Sequence, residues 1–295
     1  MSILLAQTLL IAVPLVLAAL AGVTSERAGV VNLALEAMLL AGAFGGAIGA
    51  QAAGGVLAGV ALGMASGALV AAGLAWLAVF VRTDQIIAGL ALTLLVQGAT
   101  ELGGKLYWVA DAPRHLPPLP QAAPTGVDVL DVVLGRPFVA LTIALVVVAW
   151  VLHERSVVGL RVAAIGEHPE AAETVGLSVR RHRALAVVAS GLIAGLGGAY
   201  LALNVGQFQP GMSAGKGYIA LAAVVFGRWR PLGATLACLG FAAAEAATAA
   251  LERASLPFPR ELLGALPYVL TIVAVAGLVG RARAPGALGR PYPAG

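Results

Sequence analysis

Charge is what this sequence has least of. Of 295 residues, 18 are Lys or Arg and 14 are Asp or Glu, 11% in all, where soluble domains carry about 25%. So few charges cannot wet every side of a globule this size; they can cover the rims of a bundle whose sides face lipid. Aromatic residues are also scarce, at 5%, which argues against the aromatic girdles of a lipid-facing β-barrel. A single cysteine, Cys238, excludes an internal disulfide and a thiolate metal site, and within an apolar run it reads as a small core residue. The four histidines, His115, His153, His168 and His182, read as loop residues without metal-ligand spacing. No Ser-His-Asp or paired-carboxylate arrangement stands out. A metal centre and an intramembrane enzyme are therefore disfavoured from the start.

What remains is 60% hydrophobic, with a mean hydropathy of +0.95. The stock is Ala, Leu, Val and Gly, which suits close-packed transmembrane helices. The expected fold is an all-α polytopic helix bundle forming a single transmembrane domain over 1–295. Apolar stretches run over 3–23, 30–50, 55–81, 86–104, 138–152, 184–204, 218–227, 232–251 and 262–280, predicting about nine crossings at roughly 20 residues each. The first lacks the basic flank of a signal peptide and is kept as a span. The stretch 218–227 has about ten residues and follows the glycine-rich 210–217, so a broken or half-length helix is expected there, with irregular backbone buried in protein.

The net charge of +4 comes in short clusters between spans, a pattern of membrane orientation rather than nucleic-acid binding. The loop 153–183 holds Arg155, Arg161, Arg180, Arg181 and Arg183, and the tail 281–295 holds Arg281, Arg283 and Arg290. Both are predicted cytoplasmic. The N-terminus and the proline-rich loop 105–137 then fall outside, and Arg27, Arg82, Arg228 and Arg230 inside. Gly55, Gly59, Gly63 and Gly67, spaced by four, share one helix face; Gly191 and Gly195 repeat the device. The plain reading is tight helix packing.

Polar residues at membrane depth mark pathways or buried pairs. Asn32 and Glu36 are four apart, predicting one helix face, and Gln97 and Glu101 repeat the spacing. Asn204, Gln207 and Gln209 flank Phe208 at the outer end of the sixth span. Glu245 reads as alone inside the eighth, and Glu26 and Arg27 as orientation and loop-pairing residues. Amides can bond hydroxyls or base edges, and Phe208 can stack on a flat ring. Asn32, Glu36, Gln97, Asn204, Gln207 and Phe208 are therefore candidates for a substrate path, against the alternative that they only join helices.

Within 153–183, Pro169 suits a first helical turn, Glu167 and Glu170 favour that end of the dipole, and Gly176 can stop the helix after about two turns. Ala171 and Ala172 are small enough to let another protein approach. Composition by itself allows a solvated connector.

Glu170-Ala171-Ala172, followed by Gly176, resembles the coupling loop of ATP-binding-cassette importer permeases. Gly159-Leu160-Arg161 and Gly166-Glu167-His168-Pro169 resemble more closely the branch for nucleosides and simple sugars, which is like the branched-chain amino acid permeases. So do 25–38, Asp84-Gln85-Ile86-Ile87-Ala88-Gly89, and 210–229, in the expected order. Ala28 and Ala37 depart from the family's Ser and Gly, small for small. The resemblance implies a permease subunit that pairs with an identical or paralogous permease. It also implies ATPase subunits that bind ATP and Mg²⁺, a periplasmic or lipid-anchored substrate-binding protein, and a bacterial inner-membrane location. It assigns ATPase coupling to Glu167, Pro169, Glu170, Ala171, Ala172 and Gly176, and leaves this chain without a cofactor or metal. The stretch Gly211–Gly217 has the wrong spacing for a phosphate loop, with Gly217 where Ser or Thr should bind Mg²⁺, and reads as a hinge. Nucleosides are the expected cargo, simple sugars the alternative. An ion-coupled secondary transporter using Glu36, Glu101 or Glu245 is the further alternative. Such a carrier has no use for an ATPase-docking helix.

Overall fold

A computed structural model describes residues 2–107, 115–120, 133, 135–253 and 283–292. Ten α-helices follow among them: α1 Ser2–Glu26, α2 Leu35–Ala52, α3 Val56–Ala75, α4 Gln85–Tyr107, α5 Pro137–Arg155, α6 Val157–Glu167, α7 Pro169–Thr174, α8 Val179–Val205, α9 Lys216–Phe226 and α10 Pro231–Arg253. A π-helical turn, Trp76–Val81, prolongs α3. Seven helices are long and apolar enough to cross a membrane, and α9 is a shorter apolar one. The chain is a multi-pass membrane protein. The expected span at 262–280 lies outside the described residues, as does most of 105–137.

α8 sits at the centre, enclosed by α1, α2 and α3. Its glycines set the distance. A Cβ added to Gly195 would lie 2.5 Å from the Gly63 carbonyl, and one added to Gly67 would lie 2.4 Å from the Gly191 carbonyl. A Cβ on Gly42 would meet the Gly195 carbonyl at 2.4 Å. The expected four-residue stripe is thus a backbone-to-backbone seam through Gly59, Gly63 and Gly67, whereas Gly55 caps α3 outside it. The outer helices show lipid the opposite character: Leu57, Leu69, Leu94, Val147 and Leu236 are exposed.

Pro14 lies inside α1, where it can offer no N–H to the carbonyl of Leu10. The Tyr200 hydroxyl on α8 donates to that carbonyl instead, at 3.2 Å, so the freed acceptor is satisfied within the bundle. Cys238 is buried, its thiol directed at the Leu15 carbonyl, as a core residue should be.

Several boundaries differ from expectation. The second span begins at Leu35 rather than at residue 30, because 29–34 is irregular around Gly29 at φ +90°. The loop 153–183 contains α6, started by Ser156, whose hydroxyl accepts from the Gly159 N–H at 3.2 Å. Its basic cluster belongs to the first turns of α8, and α8 also holds His182. His153 is not a loop residue either; it ends α5 and meets the Thr24 hydroxyl at 3.2 Å.

Candidate functional site

Two irregular segments meet in the bundle. The first, 27–34, leaves α1 through a turn in which the Gly29 N–H donates to the Glu26 carbonyl at 2.9 Å. Gln85, 2% exposed at the start of α4, accepts from the Val31 N–H at 2.8 Å. Asp84 starts that helix by accepting from the N–H groups of Ile86 and Ile87. A Cβ on Gly89 would press on Leu33 at 2.9 Å. The stretch Asp84–Gly89 therefore caps α4 and holds the first irregular segment against it.

Asn32 and Glu36 do not share a helix face. Asn32 precedes α2 and is fully buried; its amide donates to Ser25 Oγ at 3.2 Å and Ser190 Oγ at 3.1 Å. Its Oδ1 has no hydrogen-bond partner among the described residues. Glu36, in the first turn of α2, points to α9 instead. Its two oxygens accept from the N–H groups of Gly215 at 2.8 Å and Gly217 at 2.7 Å. These are the unpaired donors of a helix N-terminus, where a carboxylate is favoured by both hydrogen bonding and the helix dipole. Gly217 has to be glycine, since a Cβ there would lie 2.4 Å from the Glu36 nitrogen.

The second irregular segment, 206–215, turns through left-handed Gly206, Gly211, Ala214 and Gly215 before α9 begins. The broken helix expected from the short apolar stretch is this arrangement. Glu245 is not alone: it lies 3.5 Å from Lys216 at the start of α9. After α9 the chain turns through Arg228 and Trp229, both at φ 55°. The buried Trp229 ring donates Nε1–H to Glu26 at 2.6 Å, which holds a backbone conformation that costs about 1–3 kcal/mol per residue. Glu26 is thus a buried tie between α1 and this turn rather than a loop-pairing residue. Arg27 lies within electrostatic reach of Glu154 and Arg230, so the arginine-bearing turns gather at one end of the bundle. Burial holds the Arg27 guanidinium below its usual range, Glu154 opposing and Arg230 adding to the shift.

Towards the other end, Phe208 meets Phe44 edge-to-face, centroids 5.2 Å apart, with Gly104 of α4 against it. Gln207 is half-buried beside it. Asn204 is exposed at the mouth of a cavity of about 250 Å³ with His115, Arg136 and Tyr200. Gln97 is exposed on α4, on the side where Glu101 pairs with Lys105 at 2.8 Å. The fold brings Glu36 and Phe208 to the same helix, α2, and leaves Gln97 and Asn204 on open faces of the protomer.

The coupling-type segment forms the short helix α7, from Pro169 to Thr174. His168, before Pro169, takes an extended φ of −138° and separates α6 from α7. Pro169 occupies the first turn of α7, and Gly176 stops it at φ +85°. The paired alanines are split between two roles: Ala172 is buried against Ile165 and Val179, while Ala171 is exposed beside Glu170. Val175, 76% exposed, gives this face an apolar spot outside the spans. Gly166 ends α6 against the first irregular segment, where a Cβ would lie 2.1 Å from the Arg27 carbonyl. The Trp229–Glu26 bond, the roles of Gln85 and Ser190, and the seating of α6 on Arg27 had no local sequence signal, because each joins residues far apart in the chain.

The sequence model of one family, branched-chain amino acid transport system / permease component, matches residues 4–275. The chain is 38% identical to the guanosine ABC transporter permease protein NupQ of Bacillus subtilis, over 99% of this chain and 97% of that one. It is 32% identical to the nucleoside ABC transporter permease protein NupC of Lactococcus lactis subsp. cremoris, over the same shares. With the putative glucose ABC transporter permease protein TsgC13 of Haloferax volcanii it shares 37% identity over 77% of this chain and 71% of that one. No solved structure matches significantly.

Proposed function

The chain belongs to the branched-chain amino acid transport system / permease component family, and on that premise we propose that it carries nucleosides through a bacterial inner membrane. It is a permease subunit of an ATP-binding-cassette importer, and hydrolysis falls to partner ATPase subunits that bind ATP and Mg²⁺. The observation that carries the cargo assignment is the near full-length likeness to two permeases named for guanosine and for nucleosides. TsgC13, named as a putative glucose permease, matches over less of both chains, which makes simple sugars the second reading. An ion-coupled mechanism gains no support from the carboxylates it would need: Glu36 is held by two N–H groups, Glu101 by Lys105 and Glu245 by Lys216.

In this reading α7 docks on the ATPase through Glu170 and Ala171, with Glu167, Pro169, Ala172 and Gly176 shaping and seating it. The path runs beside α2. Phe208 offers a ring face for a base, Gln207 offers amide hydrogen bonds, and the Glu36–α9 junction is the element that rearranges. Asn32 holds the irregular segment behind it. Gln97 and Asn204 line the route where a second permease subunit closes over their faces. Substrate arrives from a binding protein on the outer side.

The test is uptake by the whole complex in liposomes, with labelled guanosine competed by unlabelled nucleosides or glucose. Saturable, ATP-dependent guanosine uptake blocked by nucleosides is expected. Uptake of labelled glucose that nucleosides fail to block would move the assignment to the sugar reading.

A further inference from the structure

The tail 283–292 forms no helix, yet it is tied to four separate elements. The Ala287 N–H donates to the Gly166 carbonyl at 2.8 Å, and the Gly289 N–H to the Gly29 carbonyl at 3.2 Å. The Gly286 N–H reaches Glu167 Oε2 at 3.0 Å, and Arg183 Nη1 donates to the Arg290 carbonyl at 2.9 Å. At the far end the Tyr292 hydroxyl donates to the Glu173 carboxylate, and its ring packs with Ile165, Ala172 and Val179. One short stretch therefore spans from α7, across the end of α6, to the Gly29 turn.

α6 already seats on the Arg27–Gly29 turn through Gly166, but α7 has little of its own to hold it. α7 is six residues long and buries Ala172; a helix that short has too few internal hydrogen bonds to stand unaided. Gly29 fits because it has no side chain: a Cβ would lie 2.7 Å from the Arg183 guanidinium. Arg183 itself is 2% exposed, with Nε and Nη2 unpaired among the described residues, so the tail covers a charged group that water would otherwise solvate. The Glu173 hydrogen bond, burial, and the charges of Glu173 and Glu170 hold the Tyr292 phenol above its usual pKa, with Arg183 opposing.

We propose that residues 283–292 are a strap that makes α7 and the Gly29 turn one mechanical body, with Tyr292 as its positioning residue. A displacement imposed on α7 by the ATPase then reaches 29–36, and with it Glu36 and the start of α9. The strap acts after docking. It rests on the reading of α7 as the docking helix, and it predicts a defect in coupling rather than in assembly.

The test uses the complete transporter in liposomes and measures three quantities: co-purification of the ATPase, basal ATP hydrolysis, and substrate molecules imported per ATP hydrolysed. Deleting 283–295, or Tyr292→Ala, should leave the first two within about twofold and lower the third about tenfold or more. Tyr292→Phe keeps the ring and loses one hydrogen bond, so the ratio should fall only about threefold. A wild-type import ratio in the deletion, or in Tyr292→Ala, overturns the strap. If the deletion also loses the ATPase, Tyr292→Ala and Tyr292→Phe decide, and equal ratios in the two refute the positioning role. Ala171→Trp serves as the separate control: if it keeps the ATPase bound, the docking reading fails on its own evidence.

Discussion

The seam between α2, α3 and α8 and the basic end of the bundle hold their helices by opposite means. In the seam, backbone meets backbone: Gly42, Gly63, Gly67 and Gly195 approach so closely that no Cβ fits. Such packing has a single close-fitting arrangement, and partial separation forfeits dispersion contacts without a compensating bond. At the basic end and along the two irregular segments, buried polar groups do the joining: Glu26 with Trp229, Asn32 with Ser25 and Ser190, Glu36 with the N-terminus of α9. Several atoms there have no partner among the described residues, including Asn32 Oδ1 and two nitrogens of Arg183. Polar joints of this kind can exchange partners. On the proposed function, the seam is the frame and the polar joints are where the transporter changes shape.

The comparison breaks most visibly if the seam is disturbed. Gly195→Val inserts methyl groups where a carbonyl already sits, and overpacking should cost about 3 kcal/mol or more. The expected outcome is loss of monodisperse protein after detergent extraction; a normal yield and melting temperature would mean that the seam is looser than described. Next comes Glu36→Ala. It leaves the Gly215 and Gly217 N–H groups without an acceptor, at about 1–3 kcal/mol each. Transport should be abolished with only a moderate drop in melting temperature, whereas Glu36→Gln, which keeps one acceptor oxygen, should retain part of both. Trp229→Phe leaves the buried Glu26 carboxyl without its donor, at about 1–3 kcal/mol, and the strained turn at Arg228 and Trp229 should relax. Faster proteolysis at that turn is the measurement, and an unchanged cleavage rate would show that the bond does not hold it. The smallest effect belongs to Asn32→Ala, about 0.5–1.5 kcal/mol for each neutral hydrogen bond. It should slow transport a few-fold while leaving basal ATP hydrolysis alone; wild-type transport kinetics would remove Asn32 from the moving part.

The frame was legible in the sequence because helix periodicity governs it. Glycines four apart face one way in any helix, and apolar runs of about 20 residues mark spans. The half-length α9 was legible too, since ten apolar residues after a glycine-rich stretch cannot cross a bilayer. The polar end was only partly legible. Asn32 and Glu36 were expected on one face because their spacing assumed a helix, but α2 starts at Leu35, and the two side chains turn to different partners. The partner of Glu245, Lys216, comes from the other side of a turn and leaves no spacing signal. α6 was hidden inside a loop defined by its charges, although Ser156 was available as its cap. In the coupling segment Pro169 and Gly176 marked the ends of α7 correctly, because both act through their own backbone. The tail that braces it has no periodicity at all, and only the folded chain brings Ala287 to Gly166.

In the proposed function, α7 is the place where the ATPase drives this permease. Ala171 is exposed, so Ala171→Trp should spare the fold and obstruct docking. The direct measurement is co-purification of the ATPase with the Ala171→Trp permease, alongside ATP-dependent guanosine uptake in liposomes. The expected result is a monodisperse permease that has lost both. Wild-type association and uptake in that variant would contradict it.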